Sequence, residues 1–389
     1  MPTTTGSAAP AAPAPWAASL RLIGPLAALK ILTLLLVYCS LRLIPMPFNL
    51  ESYRINYHWP PDEPLTIRSA YETWDAQRFL FVSQYGYAQT GSRGIFPLWP
   101  AVIHVATSVF GDPLTASLIA ANLLSIAALI LFHRLAALQT DLACADAALL
   151  LMLAFPSAFF LSLPYSESLF LLLVVGLFLA LRAENSLWIW TLAALLPLAR
   201  AVGVVCICPI IVHECLKRRP LRAALLATGT VAGILVYFLI FRVMTNDAFA
   251  NLQTTFNSTR VMIVNPRHPL EFLLQFLRAF FAPNIELHGI SNSAIDRAML
   301  ILVLASLWPM GRRDLVGVAY CFPAAIVPAM SLSMMSFTRY ALVLFPVFII
   351  GGRLLSPPRR KWWFWLLAAA SLSLQIILLI RHVHWDWVA

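Results

Sequence analysis

The sequence LTASLIAANLLSIAALILFHRL occupies residues 114–135 and contains no ionisable group before His133 and Arg134. A helix that crosses the hydrocarbon core of a bilayer needs roughly 20 consecutive, mostly apolar residues. This stretch has that length, so we expect a transmembrane helix here. The rest of the chain has the same character, since 60% of its 389 residues are hydrophobic and only 11% are charged. Soluble domains carry about 25% charged residues, so the composition predicts an all-α, polytopic membrane protein.

Apolar runs recur along the chain, and together they predict about eleven transmembrane helices. Residues 94–110 are also apolar, but Pro97 and Pro100 interrupt them, which indicates a re-entrant or interfacial helix or the start of a span. The other predicted spans occupy residues 22–44, 145–161, 166–181, 187–198, 202–215, 221–244, 295–308, 315–331, 340–354 and 362–380.

Two polar stretches, residues 45–94 and 245–294, separate the apolar runs. They predict long loops that carry short interfacial helices. Residues 1–20 begin with a segment of Pro, Ala and Thr that has no charge, which predicts a disordered cytoplasmic tail. We expect residues 21–389 to form a single transmembrane domain.

The basic residues predict the orientation of the chain in the membrane. With the N-terminus in the cytoplasm, the short inner loops contain clusters such as Lys217, Arg218 and Arg219, whereas the short outer turns contain few basic residues. Short cytoplasmic loops are rich in Lys and Arg, so this orientation follows the positive-inside rule. Both long loops and the C-terminus then face the extracytoplasmic side. The net charge of +10 therefore reflects topology, and no basic soluble face predicts a nucleic-acid partner.

Residues 72–100, ETWDAQRFLFVSQYGYAQTGSRGIFPLWP, are polar and aromatic although the neighbouring sequence is apolar. Asp75 and Arg78 lie three residues apart, which places both side chains on the same face of a helix. With Trp74 beside them, this pair suits either general-base chemistry or a structural ion pair.

Two acids and three arginines are expected at the same outer face, each near the end of a span or in the first loop. They are Asp75, Arg78, Glu167, Arg200 and Arg339. Charged groups at membrane depth are costly, so mutual ion pairing would by itself explain their closeness. The set would equally suit an anion-binding cavity with a spare carboxylate, because arginine binds phosphate bidentately and keeps its charge.

Transfer of a sugar from a lipid phosphate needs these two kinds of group. A carboxylate takes the proton from the attacking hydroxyl, and cations stabilise the departing phosphate. We therefore expect catalytic roles for Asp75, as the general base, and for Glu167, as a second acid or an acceptor contact. We expect Arg78, Arg200 and Arg339 to bind the donor phosphate.

Substrate contacts are expected from aromatic and hydroxyl side chains near these charges, namely Trp74, Trp99, Tyr165, Ser166 and Tyr340. An interfacial belt of Trp and Tyr is an alternative explanation for each ring. No nucleotide-binding glycine pattern or diphosphate-aspartate signature occurs in the sequence, which favours a lipid-linked donor. No cofactor is expected. The acids and histidines of residues 245–294 leave a divalent metal open but lack the spacing that would indicate one.

Four blocks of sequence resemble the GPI mannosyltransferase 2-like (PIG-V-like) family of C-type (GT-C) integral membrane glycosyltransferases. Each block is weakly specific alone, but they occur in order over most of the chain. They are WDA at 74–76 with RFL at 78–80, GY at 86–87 and FPLWP at 96–100; PSAFF at 156–160 with YSESLF at 165–170; Arg200; and FTRY at 337–340 with FP at 345–346.

This resemblance implies a GT-C fold, a polyprenyl-phosphate donor that carries mannose, a lipid-linked or glycan acceptor, and inversion at the anomeric carbon. It also implies a first-loop aspartate base, which maps onto Asp75. We expect a multi-pass protein of a bacterial inner membrane, in preference to the endoplasmic reticulum, with an extracytoplasmic site. The chain departs from the family at residues 95–96 (IF), where two aromatics are usual, and at residues 201–203 (AVG), where Ser-Asn-Gly is common. The acceptor therefore stays open.

Two other classes of protein stay open as alternatives, a transporter or lipid flippase and an accessory subunit that only binds lipid or a partner. Intramembrane charges and broken helices also occur in transporters, but there they lie near the midplane. The C-terminal sequence RHVHWDWVA raises a separate question. We expect it to be an interfacial tail anchored by Trp385 and Trp387, in preference to a metal site at His382 and His384.

Overall fold

The computed structural model describes residues 15–44, 46–55, 66–257, 293–329, 336–356 and 360–388, and the single residues 274, 277, 278, 280 and 281. The regular elements in these ranges are all helices. Five of these helices are long and apolar enough to cross a membrane, and six shorter apolar helices lie among them. The prediction of an all-α membrane protein is confirmed, whereas the count of about eleven spans stays a prediction.

In the described ranges, 3₁₀ helices at Ile67–Ala70, Thr90–Gly94, Ala158–Ser162 and Ala201–Cys206 connect the α-helices. The α-helices are α1 Pro15–Leu20, α2 Ile23–Leu43, α3 Leu50–Ile55, α4 Asp75–Tyr85, α5 Leu98–Phe110, α6 Pro113–Gln139, α7 Leu142–Leu153, α8 Glu167–Arg182, α9 Ser186–Ala199, α10 Ile207–Leu216, α11 Pro220–Thr245, α12 Ala250–Asn257, α13 Ala294–Gly311, α14 Leu315–Ala329, α15 Phe337–Leu342, α16 Phe345–Leu355 and α17 Lys361–Val383. The five long apolar spans are α1 continued by α2, α6, α11, α13 and α17.

The predicted disordered tail does not extend to residue 20, because residues 15–20 form helix α1. Ser19 in this helix is buried, and its Oγ lies 2.8 Å from Nδ1 of His133 in α6. Residues 1–14 lie outside the described residues. The first predicted loop contains α3 and α4, and the second contains α12. The acids and histidines of the second loop between residues 268 and 288 lie outside the described residues.

A lysine lies inside the first span. The side chain of Lys30 in α2 is buried, and its Nζ donates to the carbonyl oxygen of Leu161 and to Oγ of Ser162, both at 3.2 Å. A charged group in a transmembrane segment needs such partners, because lipid supplies none. The contact joins α2 to the 3₁₀ helix Ala158–Ser162, which leads into α8.

Helices α9 and α11 approach each other closely at two glycines of α11. A Cβ atom at Gly229 would lie 2.5 Å from the carbonyl oxygen of Trp190, and one at Gly233 would lie 2.1 Å from that of Ala194. Small residues permit this close approach of helix backbones in membranes. The contact holds α9 in place, and Arg200 caps the C-terminal end of that helix.

The C-terminal residues do not form the interfacial tail that the sequence predicted. Trp385 is 0% exposed, and its Nε1 donates to the carbonyl oxygen of Ser69 at 3.1 Å. The backbone N–H of Asn49 donates to the carbonyl oxygen of His384 at 2.9 Å. These hydrogen bonds satisfy polar groups of the tail inside the protein. The segment therefore packs against the first loop and is not anchored in the lipid headgroups.

The close contact of α9 and α11 gives a test of the packing. We expect Gly233→Val to lower the free energy of unfolding by about 1–3 kcal/mol, because the new side chain has to push the helices apart. The measurement is the thermal unfolding temperature in detergent. Gly24→Val in α2 is the matched control, since a Cβ atom there meets nothing within 4 Å. An equal loss of stability in both variants would contradict this account of the helix pair.

Candidate active site

The first residue of helix α4 is Asp75, and an unusual backbone turn precedes it. Trp74 caps the helix with φ 51° and ψ −117°, a region that residues with side chains rarely adopt. The backbone N–H of Ala76 donates to the carbonyl oxygen of Thr73 at 3.0 Å. The turn therefore sets the direction of the carboxylate, and the N-terminus of a helix is a favourable place for its negative charge.

Four of the five charged residues predicted for the site lie in one continuous chain of ion pairs. Arg339 Nη1 donates to Oδ2 of Asp75 at 2.8 Å, and Arg339 Nε donates to Oε1 of Glu167. The same Oε1 accepts from Nη1 of Arg200, which also donates to Oγ of Ser166 at 3.3 Å. Two carboxylates and two guanidinium groups thus alternate and balance each other's charge.

Burial divides these charges into two kinds. The side chain of Glu167 is 0% exposed and those of Arg200 and Arg339 are 9% and 7% exposed, whereas that of Asp75 is 34% exposed. Protein nevertheless surrounds the Asp75 carboxyl on most sides, so it lies in a recess. Asp75 is therefore the acid of this chain that a solute can reach.

The environment of Asp75 keeps it ionised. Burial acts to raise the pKa of the Asp75 carboxyl, but the positive charge of Arg339, followed by that of Arg78, outweighs this effect. The pKa of Asp75 is held below the usual range of an aspartate as a result. In this state the carboxylate can accept a hydrogen bond but is a weak base.

Arg78 is exposed one turn further along α4. Among the described residues it forms no ion pair, so its guanidinium is the cation of the predicted set that is open to an approaching anion. The spacing of Asp75 and Arg78 on one helical face was part of the sequence prediction. Their side chains lie near enough for Arg78 to affect the pKa of Asp75, but the carboxylate hydrogen bonds to Arg339 instead.

Aromatic rings line the buried part of the ion-pair chain. The guanidinium carbon of Arg339 lies 4.5 Å from the ring centre of Tyr165 and 5.2 Å from that of Phe160. Arg200 lies 4.9 Å from the ring centre of Tyr340, which is half-buried. Rings at these distances stabilise the cations by cation–π attraction.

The predicted substrate contacts differ in how accessible they are. Trp74 and Tyr340 are half-buried, so part of each ring is accessible. Trp99 is fully buried and its Nε1 donates to the carbonyl oxygen of Pro164 at 3.2 Å. Tyr165 and Ser166 are also buried, and both use their hydroxyl groups within the protein. These last three residues form the wall of the site.

Sequence reasoning missed an aspartate that supports Arg339. Oδ1 of Asp296, at the start of α13, accepts hydrogen bonds from the backbone N–H and the hydroxyl of Thr338 at 2.7 and 2.6 Å. The carbonyl oxygen of Thr338 in turn accepts from Oγ of Ser157 at 2.9 Å. An acid in the first turn of an apolar span is a signal that could have identified Asp296. In the ranges the structure describes, no group of three or more His, Cys, Asp or Glu could hold a metal ion.

An apolar cavity of about 340 Å³ lies beside the short helix α15, which carries Arg339. Ala341 of α15 forms part of its wall, together with Met299 and Leu302 of α13 and Phe348 of α16. Leu367 of α17 also lines the cavity. The cavity therefore offers an apolar environment next to the helix that carries Arg339.

Comparison with known proteins shows which family part of this chain resembles. Residues 66–253 match the sequence model of the family described as Mannosyltransferase (PIG-V). Over 144 residues the chain is 37% identical to GPI alpha-1,6-mannosyltransferase 2 of Homo sapiens, an alignment that covers 34% of this chain and 28% of that protein. Among solved structures, the Archaeoglobus fulgidus oligosaccharyltransferase in complex with Zn and sulfate aligns with 92% of this chain and 53% of its own, at 11% identity and a TM-score of 0.48.

The fold and the site define a polytopic helical membrane protein with a buried chain of carboxylates and guanidinium groups. The sequence match adds that residues 66–253 are similar to the PIG-V mannosyltransferases, which confirms the resemblance of the first three sequence blocks; the fourth block lies outside the match. The alignment spans less than a third of the human relative. Asp75, Glu167 and Arg200 lie inside the matched residues 66–253, and Arg339 lies outside them.

The ion-pair chain predicts the effect of removing its central charge. We expect Glu167→Gln to lower the free energy of unfolding by about 3–5 kcal/mol, because Arg200 and Arg339 would keep buried charges without their shared partner. The measurement is thermal or denaturant unfolding in detergent. Glu184→Gln is the matched control, since Glu184 also pairs with two basic residues, Lys217 and Arg219, but at an exposed position. Similar losses in the two variants would contradict the importance of the buried contact.

Proposed function

We propose that this protein is an integral membrane glycosyltransferase that moves a mannosyl unit from a polyprenyl-phosphate donor to a hydroxyl of a lipid-linked or glycan acceptor at the extracytoplasmic face. The observation that carries the proposal is the accessible carboxylate of Asp75 at the end of an otherwise buried chain that contains two arginines. The site therefore holds both kinds of group that glycosyl transfer from a phosphate needs, a base for the acceptor hydroxyl and cations for the phosphate. The relation to the PIG-V mannosyltransferases supports mannose as the sugar.

In the proposed reaction Asp75 is the general base. The acceptor oxygen forms a bond to the anomeric carbon on the face opposite the phosphate, and its proton passes to the Asp75 carboxylate. The bond between the anomeric carbon and the phosphate oxygen breaks, and the electron pair leaves with that oxygen. The donor begins as a phosphodiester with one negative charge and ends as a polyprenyl phosphate with a second one. The configuration at the anomeric carbon is inverted.

The arginines stabilise the charge that develops on the phosphate. Arg78 is exposed and makes the first contact with the incoming anion. Arg339 then exchanges its hydrogen bond to Asp75 for one to the phosphate, while its bond to Glu167 is kept. Cations placed where negative charge grows lower the barrier more than they stabilise the ground state. Glu167 holds the two buried arginines in this arrangement, and its full burial keeps it away from the acceptor.

A lipid donor also needs space for its hydrocarbon chain. The apolar cavity beside α15 provides such space within the same part of the molecule as Arg339. The charges lie at helix ends, since Asp75 and Glu167 each begin a helix and Arg200 follows one. The topology expected from the sequence puts these helix ends at the extracytoplasmic face, and charges at that depth favour an enzyme over a transporter, whose charges lie near the midplane.

Replacement of the base tests the proposal. We expect Asp75→Asn to lower the rate of transfer by about 100-fold or more, because the amide cannot take the proton. The amide oxygen can still accept the hydrogen bond from Arg339, and because Asp75 is partly exposed we expect a smaller loss of stability than for Glu167→Gln. Thermal unfolding in detergent checks that the variant is folded. The assay measures acceptor-dependent release of polyprenyl phosphate from labelled polyprenyl-phosphate mannose, with a lipid extract of the source membrane as the acceptor.

Asp112→Asn is the control for the loss of a carboxylate, since Asp112 is an acid outside the site that pairs with Arg68 at 2.8 Å. We expect this variant to keep the wild-type rate. Transfer at the wild-type rate by the Asp75 variant would show that another group is the base. Binding and movement of the donor by the wild-type protein without acceptor-dependent release would identify a transporter.

The pKa of Asp75 predicts the pH dependence of the free enzyme. A lowered pKa means that the active carboxylate form persists as the pH falls, and that it is lost only below the usual range of an aspartate. We therefore expect kcat/KM, which reports the free enzyme, to show no loss attributable to Asp75 between about pH 8 and pH 5. The measurement is kcat/KM for the donor across this range. An acidic limb centred near neutral pH would contradict the ionised, Arg339-paired state of Asp75.

A further inference from the structure

The turn before the candidate base has a backbone conformation that needs outside support. Trp74 has a φ of 51°, although it has a large side chain. A residue in such a sparsely populated region persists only where the surrounding structure holds it there. The groups that hold this turn therefore decide where Asp75 points.

Much of this support comes from the C-terminal segment, residues 382–387. Nε2 of His382, in the last turn of α17, shares a hydrogen bond with Oγ1 of Thr73. The ring of Trp74 packs against Trp385 and Trp387, with ring centres 5.8 and 4.8 Å apart. Segments more than 300 residues apart in sequence thus meet at the turn.

The same turn is also joined to the buried arginine. The hydroxyl of Tyr165 donates to the carbonyl oxygen of Thr73 at 2.6 Å, and the ring of Tyr165 lies against the guanidinium of Arg339. His382 packs on this ring and on that of Phe160, with ring centres 5.9 and 5.0 Å apart. His382 therefore contacts both groups that determine the distance between Asp75 and Arg339.

Packing alone does not explain why a polar side chain occupies position 382. Its ring is 1% exposed, and within the described part of the chain its Nδ1 has no hydrogen-bond partner. A buried polar atom without a partner is costly, so a phenylalanine would fill this space at lower cost. The hydrogen bond to Thr73 is the property that a phenylalanine would lack.

We propose that residues 382–387 form a positioning element for the candidate base, in which His382 acts through Thr73 to hold Asp75 against Arg339. The kinetic test of this inference rests on the proposed function. The contacts that define the positioning element do not depend on that function. His382 is a positioning residue, since it contacts the turn and not the reacting atoms.

The test compares variants that remove the hydrogen bond with variants that keep it. His382→Phe and Thr73→Val each keep the shape of the side chain but lose the bond, whereas His382→Gln and Thr73→Ser keep a group that can form it. We expect the first two to lower kcat by about 100-fold with little change in KM for the donor, because a small misplacement of a catalytic group has effects of this size. We expect the conservative pair to recover most of the activity.

The double variant, His382→Phe with Thr73→Val, measures the coupling. Because both changes remove the same hydrogen bond, we expect the double variant to be no slower than either single one. Gln375→Leu in α17 is the matched control, since it removes a hydrogen bond from the same helix to the carbonyl oxygen of Leu153. We expect this control to keep the wild-type kcat. Effects that multiply in the double variant would overturn the proposal.

Hydrogen exchange gives a readout that does not depend on activity. We expect His382→Phe to speed amide exchange in the peptide that covers residues 73–77, and Gln375→Leu to leave it unchanged. If the wild-type protein transfers no mannose but this exchange pattern is found, the proposed function fails and the positioning element stands. Unchanged exchange and unchanged kcat in a protein that does transfer mannose would overturn the positioning element alone.

Discussion

The carboxylate of Glu167 lies between the guanidinium groups of Arg200 and Arg339, and the site depends on this buried contact. A buried charge without a partner is strongly destabilising, so either arginine alone in this wall would oppose folding. One carboxylate does not neutralise two cations, however. Asp75 supplies the second negative charge, and the group is neutral only when all four residues are ionised. The accessible acid is therefore fixed in place by the same electrostatic balance that allows the arginines to be buried.

Because of this charge balance, assembly of the site depends on the packing of several helices. The four charges come from α4, α8, the end of α9 and α15, and the pair of Asp75 with Arg339 joins residues 264 apart in sequence. The close contact of α9 with α11 and the Lys30 contact from α2 hold two of these elements. Because each charge is costly away from its partners, packing of the helices and assembly of the site stabilise each other.

The sequence predicts the helical class and the charged residues of the site for physical reasons. Long apolar runs have few other ways to satisfy their backbone in lipid, and acids or arginines at the ends of such runs stand out. The surroundings of Trp385 and Trp99 were not predictable in this way. A tryptophan next to a span suits either the interface or the interior, and the deciding partners, the carbonyl oxygens of Ser69 and Pro164, are remote in sequence. The role of His382 was missed for the same reason, because its partner Thr73 is 309 residues away.

Under the proposed function, the pairing of Asp75 with Arg339 has opposite consequences before and after a donor binds. While the pair is intact, the guanidinium lowers the pKa of the carboxyl and makes it a weak base. A phosphate that takes over the Arg339 hydrogen bond removes part of this positive influence, and its own negative charge raises the pKa of Asp75 further. The carboxylate then becomes a stronger base when a donor is present to react. Glu167 is too deeply buried to be displaced, so it keeps Arg339 in place during the exchange. Under the proposed function, the resting ion pair therefore links base strength to donor binding without any large movement of the helices.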